Sequence, residues 1–150
     1  MKETVIIGFG NTLMADDGVG VRAIEELQKM GVPEGIELVD GGTSALDVIS
    51  YLEGKRRAIF IDAVKNGQPP GTIYRFALTD VKSDPRPLIS LHSINLADAV
   101  QLWDLQLEQL PEIVVFGVEP EKLNFDLNLS PPVREILPRL CQLVLEELRA

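Results

Sequence analysis

The chain has 150 residues, 45% of them hydrophobic, and carries 14 Lys plus Arg against 23 Asp plus Glu, a formal net charge of −9. That length suits one domain, 1–150, with a real core, and the charge argues against a nucleic-acid backbone as partner. One cysteine and one histidine exclude an internal disulfide, a C-x-x-C site and any multi-histidine site. No apolar run approaches the roughly 18 residues of a membrane span, and the N-terminus lacks a signal-peptide core, so a cytoplasmic protein without membrane attachment is expected.

Thr4-Val5-Ile6-Ile7 reads as a buried parallel strand. It enters G-F-G-N-T-L-M-A-D-D-G-V-G at Gly8 to Gly20, and a helix follows with Val19, Ala23, Ile24 and Leu27 on one face. A dinucleotide fingerprint fails here. Leu13 stands where the third glycine belongs, and Asp16 and Asp17 would place negative charge where a pyrophosphate sits. An acid at a helix start is a natural cap, but two in succession leave one to bind a cation.

The helix should end at Met30-Gly31, with Pro33 beyond. A second strand, Ile36 to Val39, runs into Asp40-Gly41-Gly42-Thr43, where Thr43 or Ser44 is placed to cap a helix carrying Ala45, Val48, Ile49 and Leu52. A third run, Ala58 to Ile61, again ends in an acid, Asp62. Asn66 to Gly71 is a turn, and Thr72 to Leu78 alternates as a fourth strand, antiparallel at an edge. Thr79 to Pro87 reads as a loop.

His92 precedes a helical stripe of Leu96, Ala99, Val100 and Trp103. Ile113 to Val118 is the last buried strand, and Ser130-Pro131 opens a terminal helix in cap-then-proline order, which Pro138 should interrupt or kink. Cys141 lies among Leu140, Leu143 and Val144, a core position and not that of a nucleophile. The pattern is α/β: a three-layer α/β/α fold on a mostly parallel, mixed sheet of about five strands.

In such a sheet the turns holding Asp17, Asp40 and Asp62 lie along one edge, and a His92 at a helix start on that edge would complete a site. Two carboxylates and an imidazole suit a divalent ion such as nickel, zinc or manganese. The same residues admit blander roles: a capping Asp16 or Asp17, an Asp40 holding its glycine turn, a His92 satisfying a helix end.

The blocks G-F-G-N-T-L-M-A-D-D-G-V-G with Arg22, V-D-G-G-T at Val39 to Thr43, I-D-A at Ile61 to Ala63, Pro70-Gly71-Thr72, S-x-H at Ser90 to His92 and G-V-x-P at Gly117 to Pro120 span nearly the whole chain. In these it resembles the hydrogenase maturation proteases. Those are cytoplasmic endopeptidases that remove a C-terminal extension from the large subunit of nickel-iron hydrogenases after nickel insertion. The resemblance implies that Asp17, Asp62 and His92 bind nickel carried by the substrate. It marks Asp40 as a further functional position, and it implies a mixed sheet flanked by helices. The implied partner is the large-subunit precursor, for which the acidic surface suits a Lys- or Arg-bearing site. Monomer is the default expectation. Two rival functions stand beside this one: a nickel checkpoint or chaperone that binds the same subunit without cutting it, and a Rossmann-like nucleotide-binding domain using Gly8, Gly10 and Asp40.

Overall fold

The computed structural model describes residues 2–78 and 96–150. Strands β1 (Thr4–Phe9), β2 (Ile36–Gly42), β3 (Arg57–Ala63), β4 (Ile73–Ala77) and β5 (Glu112–Val118) form a five-stranded sheet in the order β2-β1-β3-β5-β4. The β1–β2, β1–β3 and β3–β5 pairs are parallel, and β4 lies antiparallel on β5 at the edge. The sheet is thus mixed and mostly parallel, as its β-branched runs imply. Central β1 is buried along its whole length, which explains why it is continuously apolar instead of alternating.

One face is covered by α1 (Val19–Met30) and α4 (Pro131–Glu147), the other by a 3-10 turn at Ala45–Val48, the single turn α2 (Ile49–Leu52) and α3 (Leu96–Gln106). Ile6, Ile59, Ile61 and Phe116 pack on the first layer with Val19, Leu27 and Leu140. Ile7, Phe60 and Val115 pack on the second with Val48, Leu52 and Trp103. There Phe60 stands edge-on to both Phe9 and Trp103, with ring centroids 5.2 and 5.7 Å apart. Each such pair adds about 1 kcal/mol to simple burial.

Three local expectations change. Ser130 holds the cap position of α4 and Ser44 that of the 3-10 turn, but neither makes a side-chain capping bond. Helix α4 also runs unbroken through Pro138. Pro138 and Arg134 are both exposed, so the backbone bond that the ring removes is lost on the solvent side, where water replaces it.

Strands β2 and β3 also run further than their apolar cores suggest. β3 stays paired with β5 as far as Ala63 opposite Val118, so Asp40 and Asp62 sit within paired strands and not in the turns beyond them. No helix among the described residues is long and apolar enough to cross a membrane.

Candidate functional site

The turn between β1 and α1 is built on glycine because backbone meets backbone there. A β-carbon on Gly8 would collide with the Gly20 carbonyl, and one on Gly20 with the carbonyls of Ile61 and Phe9. The start of α1 is thereby pressed onto the carboxyl ends of β1 and β3. This sets Asp17, three residues before Gly20, on a segment neighbouring Asp62, which follows Ile61.

Within the turn Gly10 takes φ +134°, and the buried Ala15 takes φ +49°, a left-handed conformation uncommon for a residue with a side chain. Met14 donates its N–H to the Asn11 carbonyl, and Asp17 donates its own to that of Met14. The half-buried Asp17 accepts the Asn11 N–H on Oδ2 at 2.9 Å, so its carboxylate is held across the turn's mouth.

The adjacent acids have separate roles. Asp16 is fully buried. Its Oδ2 accepts the N–H groups of Glu121 and Lys122 at 2.8 and 2.9 Å and the Ser130 hydroxyl at 2.7 Å, and its Oδ1 accepts the Ser130 N–H at 2.8 Å. Neither the 3-10 turn at Ala15–Gly18 nor α1 has a side-chain cap. Asp16 therefore ties the turn to the segment 121–130, and Asp17 stands half-buried at the turn's mouth.

Asp62 is buried, stands opposite Gly117 in the sheet, and accepts the Ala63 N–H on Oδ1 at 2.8 Å. Alternation assigns it, with Phe60, to the face that α3 covers. Asp40 lies opposite Gly8 on the far side of β1, roughly 10 Å from β3, and alternation assigns it with Leu38 to the α1 face. It is exposed, and its Oδ1 accepts the Gly42 N–H at 2.9 Å, the turn-holding role that an Asp-Gly-Gly sequence offers.

The sheet thus carries Asp40 and Asp62 to one edge but on opposite faces, and Asp17 reaches that edge on the 3-10 turn that leads into α1. His92, Ser90 and the Thr79 to Pro87 loop lie outside the described residues. Among the described residues no three His, Cys, Asp or Glu side chains gather to hold a metal. Asp17 and Asp62 provide two hard oxygen donors, a set that fits an intermediate ion such as nickel when an imidazole completes it.

Sequence reasoning passed over Glu119. Buried, it accepts the Asn66 and Gln68 N–H groups and the Tyr74 hydroxyl on one oxygen, Oε1, at 2.9, 3.1 and 2.6 Å. It pins the 66–72 turn to the end of β5. Burial, reinforced by this carboxylate, pushes the Tyr74 hydroxyl up to about 12. An acid directly before Pro120 was the only signal. Arg22 also proves to be a brace, bonding Glu25 and the Leu127 carbonyl. Burial, with Glu26 nearby, raises the Cys141 thiol to about 12, which keeps it protonated and unreactive at neutral pH.

Residues 21–147 match the family model described as hydrogenase maturation protease, a span that includes Asp40, Asp62 and His92 and begins after Asp17. The chain is 35% identical to the hydrogenase expression/formation protein HupD of Bradyrhizobium diazoefficiens, over 95% of this chain and 78% of that protein. It is 30% identical to the hydrogenase 2 maturation protease of Escherichia coli K12, over 97% of this chain and 90% of that protein. The solved structure of the hydrogenase maturating endopeptidase HybD from E. coli superimposes with a TM-score of 0.86 at 28% identity, covering 98% of this chain and 92% of that one.

Proposed function

The chain belongs to the hydrogenase maturation protease family, a family of peptidases, and from that premise we propose that it removes the C-terminal extension of a nickel-iron hydrogenase large-subunit precursor after nickel insertion. It does so in the cytoplasm, as a monomer, and cuts only precursor that carries nickel. The observation that supports this reading best is the convergence of Asp17 and Asp62 on one sheet edge, with a packed backbone contact between their segments.

In this reading Asp17, Asp62 and His92 receive the ion brought by the precursor. Nickel held there supplies Lewis-acid polarisation of the scissile carbonyl. Water attacks the polarised carbonyl and its proton passes through solvent to the departing amine, while Asp40, on the opposite sheet face, holds the neighbouring turn through the Gly42 N–H. The Asn11 N–H fixes the Asp17 carboxylate, so little reorganisation is needed when the precursor arrives.

The test is intact-mass spectrometry of nickel-loaded and nickel-free precursor incubated with the protein, beside its Asp17→Asn and His92→Ala variants. Loss of one C-terminal peptide, only with nickel and only with the unaltered protein, is expected. Complex formation without loss of mass would replace the reading with that of a non-cleaving nickel checkpoint.

A further inference from the structure

Residues 13–15 and 125–127 form a short parallel ribbon centred on the Met14–Asp126 bridge. The Asp126 N–H donates to the Leu13 carbonyl at 3.0 Å, and the Ala15 N–H donates to the Asp126 carbonyl at 2.8 Å. This register sets Leu13 alongside Phe125, with Leu127 two residues on. All three stand in solvent, at 48%, 72% and 58% of full exposure. Scattered apolar side chains are ordinary on a protein surface, but these three are gathered on one ribbon.

The segment bearing them is held still. The buried Asp16 carboxylate takes its two N–H groups at Glu121 and Lys122 and both donors of Ser130. Asp126 accepts the Asn128 N–H at 2.9 Å and pairs with Lys122 at 2.7 Å, and Arg22 donates to the Leu127 carbonyl at 2.9 Å. A surface whose conformation is already fixed loses little entropy when a partner covers it. Two charge pairs beside it close internally, Arg22 with Glu25 and Lys122 with Asp126, giving the apolar centre a polar rim.

We propose that Leu13, Phe125 and Leu127 are the docking surface for the hydrogenase large-subunit precursor, receiving apolar side chains of its folded body. The inference rests on the proteolytic reading above. The occupant follows from continuity: Leu13 lies in the same turn as Asp17, whose N–H is bonded to Met14. A precursor whose nickel reaches Asp17 therefore lies over this ribbon. On a chain of net charge −9 this patch recruits by shape and burial, not by attracting basic groups.

The test is steady-state cleavage of nickel-loaded precursor by the unaltered protein, by Phe125→Ala, by the double variant Phe125→Ser/Leu127→Ser, and by Leu105→Ser as an exposed control on α3. The Phe125 and double variants should raise KM about tenfold or more at nearly unchanged kcat, with the urea midpoint kept and the control unaffected. If the unaltered protein cleaves precursor and the unfolding midpoints hold, but the variants keep its KM, the docking inference falls while the protease stands. If the unaltered protein cuts nothing, the proteolytic reading fails and takes the inference with it. Concentration-dependent self-association that the variants abolish, with cleavage unchanged, would give the patch to a second copy of this chain and overturn the proposal. Phe125→Ala alone decides the matter if the double variant does not fold.

Discussion

Asp16 accepts both the backbone N–H and the hydroxyl of Ser130, at 2.8 and 2.7 Å, across 114 positions of sequence. The first turn of α1's approach and the entrance to α4 are therefore one polar knot, closed by two further N–H groups from Glu121 and Lys122. Asp16→Ala leaves the two buried Ser130 donors without this acceptor and removes the acceptor of the part-buried Glu121 and Lys122 N–H groups. A loss of about 3 kcal/mol or more is expected in urea unfolding. A loss under about 1 kcal/mol would show that water replaces the carboxylate freely.

Asp17 and Asp40 should separate chemistry from folding. Asp40→Asn keeps an oxygen for the Gly42 N–H, and Asp17→Asn keeps one for the Asn11 N–H. Both variants should unfold within about 1 kcal/mol of the parent. Cleavage of nickel-loaded precursor should fall by about 100-fold or more for Asp17→Asn, and by less for Asp40→Asn, whose carboxylate lies on the other sheet face. Full activity of Asp17→Asn would remove that residue from the site.

Gly8→Ala tests the backbone contact that places the site. The added methyl overlaps the Gly20 carbonyl and the buried Ile24 side chain, so α1 must shift to admit it. The expected cost is about 3 kcal/mol, read from the denaturation midpoint, or failure to fold. An unaltered midpoint would mean that α1 slides along β1 at little expense.

Stability on the acid side should depend on Glu147. Its carboxylate accepts two bonds from the Arg75 guanidinium, at 2.6 and 3.0 Å, which hold its pKa below the ordinary 4.5. The unfolded chain then binds more protons as pH falls below that value. The pair's contribution is therefore present above about pH 4.5 and lost as pH drops through the folded-state pKa. Arg75→Gln should lower stability by about 1 kcal/mol at neutral pH and flatten the acid limb of a stability-versus-pH curve. Parallel acid limbs for the two proteins would refute the assignment.

Local order was legible in the chain because burial leaves a direct signature. Val5-Ile6-Ile7, Ala58 to Ile61 and Ile113 to Phe116 are apolar on both faces because parallel strands are covered twice, and Thr72 to Leu78 alternates because β4 closes an edge. Since every parallel strand leaves the sheet on the same side, Asp17, Asp40 and Asp62 were bound to share an edge once the strands were recognised.

How those acids are placed relative to one another was decided only in three dimensions. Asp16 and Asp17 are adjacent and chemically identical in sequence, yet one is buried by donors 105 to 114 residues away and the other faces the turn's mouth. Asp40 and Asp62 both end apolar runs within their strands, but the pleat sends them to opposite faces across β1. Hydrophobic pattern is a property of neighbours along the chain. The partners of a buried carboxylate are set by packing between distant segments, and no local pattern records them.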